Sequence, residues 1–199
     1  MKEKKIVVEN HASTPSPFLE EKRIYLREVR PADVTETYYR WMNDPDITRY
    51  LESRFHPNSI EQLLEYVAGK VGDRDNLFLA IILKEDGRHI GNIKLGPIQW
   101  VHRTADIGFL IGEKDCWGKG YATEAIYLIA DYAFKGLNLH KLTAGCYDAN
   151  RGSAKAFIKA GFVLEGVRKG QFYSDGRYVD EQLLGYVRPG EEAPIDEGR

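Results

Sequence analysis

A glycine-rich run that could bind an anion lies at residues 117–123, with the sequence Trp-Gly-Lys-Gly-Tyr-Ala-Thr. Gly118 and Gly120 permit backbone conformations closed to other residues, and they let an anion approach main-chain N–H groups. A helical pattern follows, and the start of a helix adds unpaired N–H donors and the positive end of its dipole. The run therefore predicts a phosphate site, with Lys119 adding charge at its rim.

Two familiar phosphate motifs do not describe this run. A nucleoside-triphosphate P-loop requires Gly-Lys followed by Ser or Thr, whereas Lys119 is followed by Gly120. A dinucleotide fingerprint requires a third glycine where Thr123 stands, and the βαβ context before it is missing. Taken alone, the run leaves two interpretations open: a site for a phosphate-bearing ligand, or a tight strand-to-helix turn without a ligand.

Length, charge and hydropathy narrow the class of protein. The chain has 199 residues, which favours one domain with a hydrophobic core. Its formal net charge of −2 gives no global basic field, so we expect neither nucleic acid nor a membrane surface as a partner. We find no apolar run of the length of a membrane span or a signal peptide, which favours a cytoplasmic protein.

The cysteines and histidines give no sign of a metal site. Cys116 and Cys146 are far apart and lack metal-ligand spacing, so free thiols are expected. The five histidines are scattered, without a His-x-x-x-His pair, and the sequence predicts no bound metal.

Hydrophobic periodicity predicts the elements that position the glycine-rich run. Alternation or short apolar runs predict strands at residues 23–29, 77–83, 89–98, 104–111, 141–147, 163–168 and 182–187. Helical spacing and end signals predict helices at about residues 31–43, 60–69, 122–134 and 153–159. This order predicts an α/β (α+β) fold in which a mixed sheet carries helices on both faces.

The ends of the chain lack such periodicity. Residues 1–20 contain several helix-breaking residues, and residues 189–199 are rich in glycine, proline and acids. We expect a loosely ordered segment at 1–20, a single domain at 21–188 and a flexible tail at 189–199.

Further motifs flank the glycine-rich run. Before it the chain has Asp-Ile-Gly-Phe-Leu-Ile at residues 106–111, and after it Asn150, Ser153 and Gly161-Phe162. Together with the full run from Trp117 to Ala125, these motifs resemble the GCN5-related N-acetyltransferase (GNAT) superfamily over about residues 22–188. The details are similar to the branch that acetylates the N-termini of ribosomal proteins. The resemblance implies the GNAT fold, a single domain whose mostly antiparallel mixed sheet has a splayed central strand pair.

By this resemblance, the glycine-rich run holds the pyrophosphate of acetyl-CoA, the expected acyl donor. The expected pyrophosphate contacts are Gly118, Lys119, Gly120, Tyr121 and Ala122, and Trp117 and Thr123 complete the cofactor-binding set. The backbone of Phe109, Leu110 and Ile111 is expected to pair with the pantetheine arm as an extra strand. A glycine within a strand often marks a bulge, and a bulge at Gly108 would splay two strands and leave main-chain groups free. This independent interpretation agrees with the expected pairing.

Three residues beyond the glycine-rich run concern the chemistry. Asn150 is expected to bind the pantetheine amides, and it also suits the cap of a helix. By the resemblance, Asp106 is the candidate general base, acting through a water because of its short side chain; the alternative is a strand-end acid in an ion pair. Ser153 is the candidate near the thiol and a member of the cofactor-binding set; the alternative is a helix-start hydrogen bond.

The tyrosine that many superfamily members use as a proton donor is absent, because Phe157 stands at its position and has no proton to give. Tyr147 and Tyr173 are candidate substitutes, although packing in the core or the cleft is the favoured interpretation of each.

Acceptors in this superfamily bind between the first two helices and the later hairpin, here about residues 41–55 and 171–178. Candidate lining residues are Trp41, Tyr50, Trp100, Tyr173 and Tyr178, with Arg49, Arg54 or His102 recognising a polar group. Each is also explained as a core aromatic or a solvated charge.

The sequence thus leaves three functional hypotheses. The leading one is an acetyl-CoA-dependent N-acetyltransferase. It transfers the acetyl group directly to a primary amine in a ternary complex of enzyme, acetyl-CoA and amine. The acceptor is a protein N-terminus or a small-molecule amine. The second keeps the reaction and takes a nucleotide-linked amino sugar, which the arginines near aromatic residues favour. The third is an acyl-CoA-binding protein without catalysis. The lack of a strong acidic patch argues against a polyamine acceptor, and a homodimer stays open.

Overall fold

One strand is apolar on both faces, and the layers of the fold are built around it. The structure is a computed structural model that describes residues 16–191. The strand Leu77–Leu83 is an unbroken apolar run, and its side chains alternate between two buried clusters. Leu79 and Ile81 belong to one cluster, whereas Ala80 belongs to the other. Such a run is typical of a strand covered on both faces.

Within the described residues, eight strands form one sheet. In chain order they are β1 (Leu19–Glu20), β2 (Ile24–Glu28), β3 (Leu77–Leu83), β4 (His89–Gln99), β5 (Thr104–Ile111), β6 (Lys141–Tyr147), β7 (Val163–Ser174) and β8 (Arg177–Val187). Their order across the sheet is β1-β2-β3-β4-β5-β6-β8-β7. The pairing of β5 with β6 is parallel and the other pairings are antiparallel, which confirms the predicted mixed, mostly antiparallel sheet.

Helices cover both faces, as predicted. They are α1 (Glu36–Asn43), α2 (Pro45–Thr48), α3 (Ile60–Ala68), α4 (Tyr121–Lys135) and α5 (Arg151–Lys159). Ile126 and Ile129 of α4 lie in the larger cluster with Leu79 and Ile81, and Val67 of α3 lies with Ala80 in the cluster on the opposite face. Short 3-10 turns occur at Pro31–Asp33, Glu52–Phe55 and Lys114–Cys116.

Several boundaries differ from the sequence prediction. The first helix begins at Glu36 rather than at Pro31, because Val34 leaves the helical conformation and the side chain of Thr35 caps the new start. Leu19–Glu20, within the segment predicted as loosely ordered, pairs with β2. Residues 1–15 and 192–199, which make up most of the two predicted loose ends, lie outside the described residues.

The last two strands are longer than predicted. β7 ends at Ser174 and β8 begins at Arg177. A two-residue turn, Asp175-Gly176, joins them, and both turn residues have positive φ. A two-residue turn of this kind matches the twist of the flanking strands. The sequence signal is weak because β7 is an exposed edge strand and its middle is polar.

The central pair β5 and β6 is splayed, as the resemblance implies. The two strands pair only at Thr104, Ala105 and Asp106 with the first three residues of β6. Beyond Asp106, β5 continues against β4 as far as Ile111, while β6 continues against β8. We refer to the parting of β5 and β6 after Asp106 as the fork.

A buried tryptophan fixes α1 against the end of β5. Trp41 is buried, and its indole Nε1 donates a hydrogen bond of 2.9 Å to Glu113 Oε1. Its ring lies directly on Gly112, so that a Cβ at this position would overlap the indole. The contact therefore requires glycine at residue 112, and it holds the helices of one face next to the fork.

We expect Gly112→Ala to lower the free energy of unfolding by about 1–3 kcal/mol, because either Trp41 or the strand end must move. Gly152→Ala is the control, since a Cβ there meets its nearest atom at 3.9 Å and the site is helical. Urea denaturation monitored by circular dichroism measures both variants. Equal stabilities for the two variants would contradict the packing described.

Candidate active site

The fork opens into a cleft with a volume of about 710 Å³. Its walls come from β5 and β6, from the glycine-rich run with the start of α4, from α5, and from α2 with the turn after it. Of the predicted cofactor-binding residues, the cleft brings together Phe109, Leu110, Ile111, Trp117, Gly118, Gly120, Tyr121, Ala122, Thr123, Asn150 and Ser153. These residues come from three separate parts of the chain, and the fold joins them at one surface.

Lys119 is the predicted cofactor-binding residue that does not line the cleft. Its side chain is exposed, and its backbone carbonyl accepts a hydrogen bond of 2.9 Å from Arg23 Nη1. Lys119 therefore takes part in holding the turn rather than in forming the cleft wall.

The glycine turn, residues 117–120, has the backbone that its composition predicts. Gly118 and Gly120 have φ values of 72° and 86°, a region that favours glycine. Gly120 is the N-cap of α4 and supplies no side chain to its first turn. The N–H groups at the start of a helix have no partner within the helix, so the N-terminus of α4 offers them to the cleft together with its positive dipole end. This geometry suits an anion.

The glycine turn is tied to the end of β5. The indole Nε1 of Trp117 donates a hydrogen bond of 2.8 Å to the carbonyl of Ile111. This contact removes one acceptor from the β5 edge and sets the position of the turn relative to the strand.

A second tie comes from Arg23, which the sequence reasoning did not identify. Its Nε and its backbone N each donate to Glu124 at 2.9 Å, and its Nη1 donates to Lys119 O. The guanidinium also lies 4.6 Å from the ring centroid of Tyr121. Arg23 thus links β2 to both sides of the N-terminus of α4. A lone arginine far away in sequence gives no signal of this role.

The start of α5 carries the two predicted polar residues. Asn150 Oδ1 accepts from the backbone N of Ser153 at 3.2 Å, which confirms its capping role and leaves its side-chain NH₂ group as a donor. Ser153 Oγ lies 3.4 Å from Cys146 Sγ. Burial raises the pKa of the Cys146 thiol, so this cysteine stays protonated beside the serine hydroxyl.

Phe157 serves the core. It is buried, and its ring centroid lies 5.5 Å from that of Phe109 and 5.0 Å from that of Phe162. Phe109 lines the cleft, so Phe157 supports the strand that forms the wall. A packing role explains why an apolar ring occupies the position of the usual tyrosine.

Tyr147, at the end of β6, brings a polar group to the end of the cleft that α2 and the turn after it form. Its hydroxyl donates to Glu52 Oε1 at 2.7 Å and accepts from Arg54 Nη1 at 3.0 Å. Its ring stacks on Phe172 with centroids 4.1 Å apart. Burial, followed by the hydrogen bond to Glu52, raises the pKa of Tyr147, so the hydroxyl stays protonated at neutral pH.

Glu52 lines the cleft and was missed by the sequence reasoning. It lies in an irregular 3-10 turn without a motif, so no spacing marks it. Asp46, at the start of α2, also lines this end of the cleft and is bound by Lys114 at 2.8 Å.

The predicted acceptor residues divide between the cleft, a second cavity and the scaffold. Tyr50 lines the cleft. Arg49, Arg54 and Tyr173 line a neighbouring cavity of about 510 Å³ between α1–α2 and the β7–β8 hairpin, where acceptors were expected.

The other predicted acceptor residues have structural roles or lie elsewhere. Trp41 is buried, and its ring packs on Gly112. Trp100 donates to Asp75, and neither it nor His102 lines either cavity. Tyr178 packs on Tyr173 within the hairpin. Isolated aromatic residues in the sequence did not distinguish these roles from cleft lining.

Asp106 occupies the last paired position before the fork, opposite Thr143. The hydroxyl of Thr143 donates to its carboxylate. Asp106 is exposed and does not itself line the cleft, but it shares a sheet face with Gly108, which does. The carboxylate thus lies at the base of the fork, two residues before Gly108 of the cleft wall.

In the part of the chain that the structure describes, no group of three His, Cys, Asp or Glu side chains is arranged to hold a metal ion. Over the same residues, we find no helix long and apolar enough to cross a membrane.

Comparison with known families agrees with this site. Residues 23–163 match the family described as the acetyltransferase (GNAT) domain. Because this match spans most of the chain and the fold is the GNAT fold, the protein belongs to the GNAT acetyltransferases and is an N-acetyltransferase of that type.

Individual relatives are similar over most of their length. The chain is 35% identical to the probable N-acetyltransferase YjcK of Bacillus subtilis (strain 168), over 66% of this chain and 72% of the relative. It is 29% identical to the uncharacterized N-acetyltransferase YoaA of the same organism, over 88% and 99%. The crystal structure of spermidine N-acetyltransferase from Vibrio cholerae in complex with CoA and spermine is similar with a TM-score of 0.74 and 26% identity, covering 82% of this chain and 95% of that one.

We expect Arg23→Ala to raise the KM for acetyl-CoA about fivefold, the equivalent of one well-placed polar contact, because the glycine turn loses its link to β2. Steady-state kinetics with varied donor measure the effect. Lys84→Ala is the control, since it breaks the neighbouring ion pair with Glu20 without touching the turn. The same KM for both variants would show that Arg23 does not position the turn.

Proposed function

We propose that the protein transfers an acetyl group from acetyl-CoA directly to a primary amine, both substrates being bound together. The acceptor is a small-molecule amine or a protein N-terminus. The observation that carries the proposal is the fork: a free strand edge at Phe109–Ile111 leads to a glycine turn at the N-terminus of α4 within one cleft. The CoA complex of the similar Vibrio cholerae enzyme supports the choice of donor.

Each part of the donor has a matching surface. The N–H groups of the glycine turn and of the first turn of α4 suit the pyrophosphate. The β5 edge beyond Asp106 has no strand partner on the β6 side, so it suits the amides of the pantetheine arm. The side-chain NH₂ group of Asn150 adds a donor from the opposite wall.

The reaction requires a neutral amine within about 3–3.5 Å of the thioester carbonyl. The amine nitrogen bonds to this carbon, and a backbone N–H of the β5 edge stabilises the oxyanion that forms. Asp106 receives the proton of the amine through a water, because it lies at the base of the fork but outside the cleft wall. The carbon–sulfur bond then breaks, and Ser153 stabilises the departing thiolate by a hydrogen bond.

We place the acceptor at the end of the cleft formed by α2 and the turn after it, and this end suits a cation. Its charged lining residues Asp46 and Glu52 are both acids. Asp46 is paired with Lys114, whereas Glu52 has no ion-pair partner among residues 16–191. This local pair of acids weakens the sequence-based argument against a polyamine, which rested on the lack of a strong acidic patch.

An anionic nucleotide sugar has less support than a cationic amine. Arg49 is paired with Asp175 at 3.1 Å, and the Arg54 guanidinium donates to Leu51 O, Tyr147 Oη and Tyr173 O. Neither arginine is free to bind a phosphate without breaking these contacts.

The donor is tested by thermal denaturation with and without acetyl-CoA. At a concentration about 100 times the Kd, binding adds about 2.7 kcal/mol to the stability of the folded state. For a chain of this size we expect a rise in Tm of about 5–10 °C. No shift at saturating acetyl-CoA would contradict the proposed donor.

Release of free thiol distinguishes an enzyme from an acyl-CoA-binding protein without catalysis. We expect acetyl-CoA to release free CoA thiol only when an acceptor amine is added. The amines to compare are spermidine, a peptide with a free N-terminus and a nucleotide-linked amino sugar. The carboxylates of the cleft predict the highest kcat/KM for a cationic amine. Binding of acetyl-CoA without thiol release for any member would favour the non-catalytic alternative.

We expect Asp106→Asn to lower kcat about a hundredfold, because an amide cannot accept the proton. Asp131→Asn, which alters an exposed acid paired with Lys135 on α4, is the control. If kcat and its pH profile are unchanged in Asp106→Asn, the base is another group.

A further inference from the structure

Two lysines on α5 face the cleft without an acidic partner. Lys155 and Lys159 both line it, and they are separated by one helical turn. Among residues 16–191, neither ammonium group takes part in an ion pair or a hydrogen bond. By contrast, Lys84 and Lys141 lie 2.9 Å and 2.7 Å from a carboxylate oxygen.

The charges of the cleft lining are segregated. The acids, Asp46 and Glu52, belong to α2 and the turn after it, whereas the cations belong to α5. Lys119 does not line the cleft, so within the cleft the glycine turn offers an anion only its backbone N–H groups. The α5 wall therefore presents positive charge that the glycine turn does not require.

We propose that Lys155 and Lys159 bind the 3′-phosphate of the adenosine in acetyl-CoA; this inference rests on the donor proposed above. The N–H groups of the glycine turn provide for the pyrophosphate, which leaves the 3′-phosphate as the remaining charged group of the donor. A phosphate monoester carries a charge of about −1.5 to −2 at neutral pH. Two ammonium groups would neutralise this charge, so the 3′-phosphate is the group of the donor that they would stabilise most.

The spacing of the two lysines fits one phosphate. Residues four apart in a helix lie on one face with Cβ atoms about 5–6 Å apart, so both ammonium groups reach the same anion. Lysine is a compact point charge on a flexible stem, which suits a rotating monoester better than a rigid guanidinium does. Both side chains are exposed, so their desolvation on binding is incomplete and the cost is small.

This contact predicts donor selectivity. Acetyl-CoA has the 3′-phosphate, whereas 3′-dephospho-acetyl-CoA and an acyl pantetheine carried on a protein lack it. The enzyme is expected to bind acetyl-CoA about tenfold more tightly than its 3′-dephospho analogue, because two exposed charge contacts are lost.

Isothermal titration of both donors into wild type and Lys155→Gln/Lys159→Gln tests the inference. We expect the double variant to lose about tenfold in affinity for acetyl-CoA and less than twofold for the 3′-dephospho analogue. Arg151→Gln is the control, because this cation lies on the same helix but does not line the cleft. An unchanged Tm for each variant without donor excludes a folding defect.

The outcomes separate the two proposals. Equal losses for both donors would assign the lysines to the pyrophosphate, and no loss for either would leave them without a role; each result overturns the inference while the donor stands. Wild type that binds both donors equally well also overturns it. Wild type that binds neither donor contradicts the proposed function itself.

Discussion

The parallel pairing of β5 and β6 lasts for three residue pairs and then stops. Each strand keeps its other neighbour beyond that point, β4 for β5 and β8 for β6, so the parting of the two strands does not destabilise the sheet. It leaves main-chain groups in the interior of the sheet without a partner. Backbone N–H and C=O groups form hydrogen bonds with water or with a ligand, and a ligand with its own amides can pair with this edge.

Other parts of the molecule hold the surroundings of this fork in place. Trp41 packs on Gly112 and fixes α1 beside the end of β5. Trp117 and Arg23 fix the glycine turn, and the second of these contacts joins the N-terminus of α4 to β2. The result is a preformed cleft with unpaired N–H groups at one end, acids at the other and lysines along one wall. A preorganised site of this kind loses little conformational entropy on binding.

Local residue preferences explain which parts of the site the sequence predicted. Gly118 and Gly120 stand where the backbone needs positive φ, and Asn150 stands at a helix cap. Such positions restrict residue type strongly, so they can be recognised without a structure. Arg23 and Glu124 lie 101 residues apart and meet only in the fold, and Glu52 lies in an irregular turn. Their roles depend on tertiary contacts, which hydrophobic periodicity does not encode. The polar middle of β7 likewise lacks hydrophobic periodicity, so the full length of the last hairpin was not predicted.

Amide hydrogen exchange with and without CoA tests the role of the fork most directly, because unpaired strand amides exchange fast until a ligand pairs with them. We expect slower exchange at residues 109–111 and at 118–123 when CoA is added, with residues 60–68 of α3 unchanged. Unchanged exchange at residues 109–111 under saturating CoA would contradict the claim that the free edge of β5 binds the donor.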